Sequence, residues 1–134
     1  AGHVHIADRA LISGLAGIHQ FTRIGRLAML SGGAMANQDI IPYVIAQGDR
    51  AKPVALNLVG MKRNGISGES IMSIKHVFKT LFFGGLLLKD AIARLRAENL
   101  PPEVALILDF CEGSKRGIAR PLRTLKELAE TAND

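Results

Sequence analysis

The chain has 134 residues, and its 17 Lys and Arg outnumber 12 Asp and Glu, which gives a formal net charge of +5 and a pI near 9.8. No apolar run approaches the roughly 18 residues of a transmembrane segment, and the lone Cys111 excludes an internal disulfide and favours a reducing, cytoplasmic environment. The basic surplus predicts an anionic partner, but the few aromatic residues argue against nucleic acid.

The first 36 residues repeat with a period of six. Divided from Ala1, they are AGHVHI, ADRALI, SGLAGI, HQFTRI, GRLAML and SGGAMA, with an apolar sixth place and a small or β-branched fourth place. This pattern is typical of a parallel β-helix, in which three hexads form one coil and coils stack at about 4.8 Å, so that like residues form columns. The pattern ends over residues 37–42, where Pro42 lacks a backbone donor.

Six hexads form only about two coils, and the first coil would leave an apolar strand edge unpaired. The chain also begins without Met and without a capping segment, and no targeting sequence explains this start. We therefore expect the chain to be the C-terminal part of a longer protein.

The next residues change in character. Residues 43–66 predict an irregular region with one short strand and a helical turn over 55–61, because glycine and proline interrupt any long periodicity. Ser67 is a predicted N-cap for a helix that ends at Gly84 and Gly85.

Further helical patterns follow in the order 89–99, Pro101–Gly113 and 122–130. The predicted fold is therefore mixed, β first and α second. Its predicted divisions are the last coils of a hexapeptide-repeat β-helix (1–42), a substrate-side loop region (43–66) and a C-terminal helical domain (67–134). The helical domain is predicted to be a small bundle that caps the lower edge of the β-helix.

Four segments of the chain resemble a known family. They are AGHV at 1–4, IHQF at 18–21, PYVIAQGDRAKP at 42–53 and LNLVGMKRNGIS at 56–67. With them the chain, as far as about Pro121, resembles the C-terminal half of the bacterial UDP-N-acetylglucosamine O-acyltransferases, which open lipid A synthesis. The hexads alone would indicate only the hexapeptide acyltransferase superfamily, and the later segments are far more specific.

The resemblance implies a left-handed parallel β-helix that assembles as a homotrimer in the cytoplasm, with active sites between neighbouring prisms. It implies transfer of a 3-hydroxyacyl chain from acyl carrier protein to the 3-hydroxyl of UDP-N-acetylglucosamine. No metal or cofactor is implied beyond the phosphopantetheine that carries the donor. The general base of the family is a histidine upstream of the residue that matches Ala1, so this chain lacks it.

The resemblance also implies roles for single residues. Gly2 matches a glycine whose backbone amide stabilises the oxyanion. The implied substrate contacts comprise two histidines and a glutamine at the sugar and acyl cleft, two glycines beside the acyl groove, and two residues on the nucleotide side: His3, His19, Gln20, Gly14, Gly32, Asn57 and Arg63. From the residues alone, the glycines fit simple corner geometry and the histidines fit hydrogen-bonded surface positions equally well.

Three positions depart from the family pattern. Val59 stands where an acidic residue is frequent, Asn64 where a second arginine follows the first, and Arg50 where a histidine is common. His5 and His76 match nothing functional and are predicted to be solvated. Five further basic residues fit either a docking face for the acidic carrier protein or a merely solvated surface: Lys62, Lys75, Lys79, Lys115 and Arg116.

Two other functions fit the hexads. One is a hexapeptide acyltransferase that uses acetyl or succinyl coenzyme A, although the run from Pro42 to Arg63 and the helical tail are unusual for that class. The other is a trimeric binding or assembly module without catalysis.

Overall fold

The structure, a computed structural model, describes residues 2–121. Within this range the strands come first and the helices follow. The strands are β1 (His5–Ile6), β2 (Leu11–Ile12), β3 (Gly17–Ile18), β4 (Arg23–Ile24), β5 (Met29–Leu30), β6 (Met35–Ala36), β7 (Val44–Gln47) and β8 (Lys52–Leu56), and the helices are α1 (Leu58–Arg63), α2 (Gly68–Phe83), α3 (Leu88–Arg96) and α4 (Pro102–Glu112).

Each of the first six strands occupies the fifth and sixth places of a hexad. Each of the first three pairs in parallel with the strand 18 residues later, so that β1 pairs with β4, β2 with β5 and β3 with β6. The pairs belong to three separate sheets, here called faces A, B and C in chain order, and the stack of coils that carries them is called the prism. The spacing of 18 residues is the one that the hexads predict.

The corners between the faces share one backbone conformation. At the third place of every hexad φ is positive, with values of 57° at His3, 59° at Arg9, 62° at Leu15, 68° at Phe21, 57° at Leu27 and 74° at Gly33. Five of these six residues are not glycine, so the stacked coils must hold a conformation that L-residues adopt at a cost. We name the corners in chain order: the first comprises residues 2–4 and 19–22, the second 7–10 and 25–28, and the third 13–16 and 31–34.

The interior of the second coil is closely packed. Its fourth-place and sixth-place residues are at most 2% exposed: Thr22, Ile24, Ala28, Leu30, Ala34 and Ala36. In the first coil, by contrast, Ile6 is 47% exposed. Among the described residues the buried core comprises the second coil and continues into the helices, with Ile12 and Ile18 of the first coil packed against it.

The region after the hexads contains two strands, not the single strand predicted. β7 extends face B in parallel with β5, and β8 returns antiparallel to β7 with a register shift between Ile45 and Ala46. The reversal runs through Gly48, whose φ of 91° suits a residue without a side chain. Pro53 is accommodated in β8 because β8 lies at the edge of its sheet.

The helix boundaries follow the caps. Ser67 is the N-cap of α2 as predicted, since its Oγ accepts a hydrogen bond from the Ser70 backbone at 3.1 Å. α1 begins at Leu58 and not at Ala55, because Ala55 is still paired with β7. α3 ends at Arg96, three residues before the predicted end. The predicted amphipathic stretch over 122–130 lies outside the described residues.

The helices pack on one another and on the lower end of the prism. Ile74 and Val77 of α2 and Ile107 of α4 belong to one buried apolar cluster with Ile41 and Leu56. After α4 the chain returns to the prism, where the Asp39 backbone donates to Gly117 O and accepts from the Ala119 backbone, both at 2.9 Å. None of the helices in residues 2–121 has the length and apolar character needed to cross a bilayer.

Candidate functional site

The first corner holds Gly2, His3, His19 and Gln20. The His3 imidazole stacks on the Phe21 ring with the centroids 5.2 Å apart and the planes 19° from parallel. The two rings meet because both residues occupy the third place of a hexad, one coil apart. Phe21 is 59% exposed and was not singled out from the sequence, although aligning the hexads in columns would have placed it beside His3.

His19 carries a defined hydrogen bond. Its Nδ1 lies 3.2 Å from the Gln20 carbonyl oxygen. A carbonyl oxygen only accepts, so Nδ1 carries the proton and Nε2 of the neutral ring remains an acceptor. The imidazole can therefore accept a hydrogen bond from a hydroxyl group.

A groove of about 460 Å³ lies beside His19 on face C. Gly17 and Met35 line it together with Asp49 and Arg50 from the β7–β8 turn. The groove thus combines an imidazole, a carboxylate, a guanidinium and apolar side chains. Arg50, one of the three departures from the family pattern, is brought to this groove by the hairpin.

Gly14 and Gly32 lie one above the other at the third corner. A Cβ on Gly14 would meet nothing within 4 Å, and one on Gly32 would lie 3.6 Å from Gly14 O, which is ordinary contact. The positive φ of this corner falls on the next residues, Leu15 and Gly33. Neither backbone conformation nor crowding within the described residues therefore requires glycine at positions 14 and 32.

Asn57 and Arg63 lie at the second corner, at opposite ends of α1. Asn57 Oδ1 accepts from the Gly60 backbone at 3.1 Å, and its Nδ2 donates to Leu27 O at 2.8 Å. This amide fixes the start of α1 to the prism and keeps one N–H and one lone pair for other partners. Arg63 is exposed in the last turn of the helix.

The remaining predicted residues lie apart from these corners. His5 is exposed on face A, and His76 is half exposed with its Nε2 2.9 Å from Glu98 Oε1, so it is paired as well as solvated. Of the five basic residues that fit a docking face for a carrier protein, Lys62, Lys79 and Lys115 are exposed. Arg116 is partly buried and donates from Nε to Asn37 O at 3.0 Å.

Two buried groups have raised pKa values, and neither belongs to these corners. Burial raises the pKa of the Tyr43 hydroxyl, an effect that the nearby Arg26 partly opposes. Burial also raises the pKa of the Cys111 thiol to about 12, which makes it a poor nucleophile at neutral pH. Within residues 2–121 no three His, Cys, Asp or Glu side chains cluster as metal ligands.

One copy of the chain does not gather the predicted site residues. They are divided among three corners, which three different turns of the chain form. Gly2, His3, His19 and Gln20 occupy the first corner, Asn57 and Arg63 the second, and Gly14 and Gly32 the third.

Relatives of known name match most of the chain. An acyl-(acyl-carrier-protein)–UDP-N-acetylglucosamine O-acyltransferase of Myxococcus xanthus is 50% identical over 118 residues, which cover 87% of this chain and 46% of that protein. The enzyme of the same name from Janthinobacterium is 45% identical over 125 residues, covering 90% and 48%. The chain spans about half the length of the curated relatives it matches.

Solved structures of the same class superpose closely. The UDP-N-acetylglucosamine acyltransferase of Francisella novicida has a TM-score of 0.82 at 34% identity, with 91% of this chain and 45% of that one covered. The enzyme of Bacteroides fragilis has a TM-score of 0.83 at 36% identity, with 87% and 46% covered.

A family model described as UDP N-acetylglucosamine O-acyltransferase, domain 2, matches residues 39–119. This range contains β7, β8 and all four helices, and it therefore includes the segments that distinguish the family from other hexapeptide proteins. The chain belongs to the UDP-N-acetylglucosamine O-acyltransferase family.

Proposed function

We propose that this chain is part of an enzyme that transfers a 3-hydroxyacyl chain from acyl carrier protein to the 3-hydroxyl of UDP-N-acetylglucosamine, the first step of lipid A synthesis. The observation that carries the proposal is the 50% identity to a relative whose name states the donor carrier and the acceptor. The enzyme acts in the cytoplasm and needs no metal or cofactor besides the phosphopantetheine of the carrier.

The proposed architecture is a left-handed parallel β-helix followed by a small helical bundle, assembled as a homotrimer. The repeated positive φ at every corner and the parallel pairing at 18 residues support the helix. The division of the site residues among three corners supports the trimer. In a trimer, a corner of one prism can lie beside a different corner of its neighbour, and one site can then contain residues from both. Exposed apolar side chains on the prism, among them Leu15 at 94% and Leu11 at 56%, offer contact surface.

The acyl side of the site is proposed at the first and third corners. The Gly2 amide stabilises the thioester oxyanion, because glycine allows close approach of the thioester. Gly14 and Gly32 make room for the hydrocarbon chain, a role supported by the absence of any conformational need for glycine there.

The sugar and nucleotide side is proposed at the first and second corners. His3 and His19 line the cleft, and the free Nε2 of His19 accepts from a substrate hydroxyl. Gln20 contacts the product, Asn57 uses its remaining N–H, and the exposed Arg63 binds phosphate. The general base is a histidine outside these 134 residues.

Expression of the complete reading frame beside the 134-residue chain tests this function. With 3-hydroxyacyl carrier protein and UDP-N-acetylglucosamine, we expect the complete protein to form the 3-O-acyl product. The chain alone should be slower by at least about 10²-fold, because a positioned general base contributes 10² to 10⁴ in rate. A complete protein that accepts only acetyl or succinyl coenzyme A, or a chain that matches its rate, would contradict the assignment.

A further inference from the structure

A guanidinium from the prism is fastened to the end of α1. Arg9 lies at the second corner with an exposed side chain, and its Nη1 donates to Asn64 Oδ1 at 2.6 Å. Asn64 is the C-cap of α1, and its Nδ2 donates to Gly60 O at 2.7 Å. The two bonds fix the amide orientation, since its oxygen faces a donor and its nitrogen an acceptor. Arg9 is thus held beside the residue that follows Arg63.

This end of α1 is rich in positive charge, and the exposed Asp8, which precedes Arg9, is the acidic residue of the second corner. Lys62 and Arg63 are exposed in the last turn, and residues 57–66 contain no Asp or Glu. Among the described residues Arg9 forms no ion pair within 4.0 Å, and its partner Asn64 is a neutral amide. The charge of Arg9 therefore adds to the charges of α1 and is not cancelled by its contact.

The placement also bears on a departure from the family pattern. Asn64 stands where a second arginine follows the first, so α1 itself carries one guanidinium fewer. Arg9 places a guanidinium beside Asn64, although the two residues are 55 positions apart in sequence and Arg9 belongs to the prism and not to α1. A guanidinium presents paired N–H donors that match two oxygens of a phosphate, which a neutral amide cannot replace.

We propose that Arg9 and Arg63 together bind a phosphate group of a substrate at the C-terminal end of α1, with Arg9 as a binding residue supplied by the prism. The proposal rests on the proposed function for the identity of the ligand, which is the diphosphate of the nucleotide sugar or the phosphate of phosphopantetheine. Both ligands offer the same phosphate ester chemistry.

Calorimetric titration of the complete protein with UDP, uridine and 4′-phosphopantetheine tests the site. Arg9→Gln should weaken binding of one phosphate-bearing ligand about tenfold, as expected for a lost charge-assisted contact, and leave uridine unaffected. The ligand that loses affinity identifies the source of the phosphate. Arg94→Gln, at an exposed arginine of α3, is the matched control and should change neither affinity. Unchanged affinity of Arg9→Gln for both phosphate ligands would overturn the proposal.

A second variant separates binding from support of α1. Asn64→Arg in an Arg9→Ala background places a guanidinium at the same end of the helix, and alanine has no polar side-chain atom with which to rebuild a bond between residues 9 and 64. Restored affinity is the expected result, and loss without rescue would show that Arg9 only steadies the helix.

Kinetics of the complete protein distinguish failure of the site from failure of the proposed function. Arg9→Gln should raise the KM of the phosphate-bearing substrate and leave kcat unchanged. If Arg9→Gln is active with unchanged KM and unchanged affinity, the proposed phosphate site is wrong and the proposed function is unaffected. If the complete protein binds UDP in an Arg9-dependent way but transfers no acyl chain, the phosphate site is supported and the proposed function is wrong.

Discussion

At the scale of single residues, the neighbour that matters most in the prism is the residue 18 positions away. His3 stacks on Phe21, Gly14 lies over Gly32, and His5 pairs in register with Arg23 on face A. Substitution at one of these positions therefore also changes the surroundings of its partner. A ligand at a corner meets both members of such a column together.

Cys111 predicts a pH dependence of stability. The unfolded thiol ionises near the ordinary pKa of 9.0, whereas the buried thiol keeps its proton until about 12. Between these values the unfolded state binds fewer protons, so the free energy of unfolding falls as pH rises, by up to about 1.4 kcal/mol per pH unit. Below about pH 9 the two states bind the proton equally and the effect disappears.

Urea unfolding at several pH values between about 8 and 10.5 measures this effect. Cys111→Ala should show a flatter decline than the wild type, while the contribution of Tyr43, whose pKa is also raised by burial, remains in both. Parallel declines in the two proteins would show that the thiol is accessible to water.

At the scale of elements, α1 depends on its attachments. A helix of six residues is too short to be stable alone, because nucleation is costly. The Asn57 bonds hold its start, the fully buried Met61 anchors its middle, and the Arg9 to Asn64 bond holds its end. The nucleotide side proposed for the site is therefore positioned by the prism, although its residues belong to a helix.

Gly25 tests the junction between the second corner and the chain that leaves the prism. A Cβ at this position would overlap Pro42 and lie 2.8 Å from the Ile41 carbonyl carbon, both parts of a buried segment. Gly25→Ala should lower the free energy of unfolding by about 1–3 kcal/mol, as expected for overpacking. Gly14→Ala is the control, since a Cβ there meets nothing within 4 Å. Equal urea midpoints for the two variants would contradict this account of the junction.

At the scale of the whole molecule, one side chain joins the prism to the helices. The Arg23 guanidinium lies 4.1 Å from the Phe110 ring centroid and donates to Phe110 O at 3.1 Å. Asp39, which is 1% exposed, accepts from the Arg23 backbone at 2.8 Å and from Ser114 Oγ at 2.7 Å. These bonds connect the second coil, the end of the hexads and the segment after α4, and the buried core is continuous across them.

Oligomeric state is the prediction at this scale. Light scattering should give three times the monomer mass for both the complete protein and the 134-residue chain. The monomer mass of the 134-residue chain is 14.4 kDa. The reason is that apolar side chains such as Leu15 and Phe21, 94% and 59% exposed, lose contact with water between neighbouring prisms. A stable monomer at micromolar concentration would contradict the proposed trimer and the shared sites.

The sequence by itself determined the strand positions of the prism and the start of α2. A period of six and a serine N-cap act within a few residues, so their geometry is local and visible in the chain. The three divisions of the chain and the roles of the site residues stay predictions, because they depend on substrates and neighbouring copies.

Only the tertiary structure decided the contacts between distant residues. The second strand of the hairpin, the engagement of Asn57 with Leu27 and the reach of Arg9 to Asn64 join positions that no local pattern relates. Their physical cause is the stacking of coils, which brings residues 30 and 55 positions apart to one corner. The stacking sets which side chains meet there, and each residue's own type sets what bond it then forms.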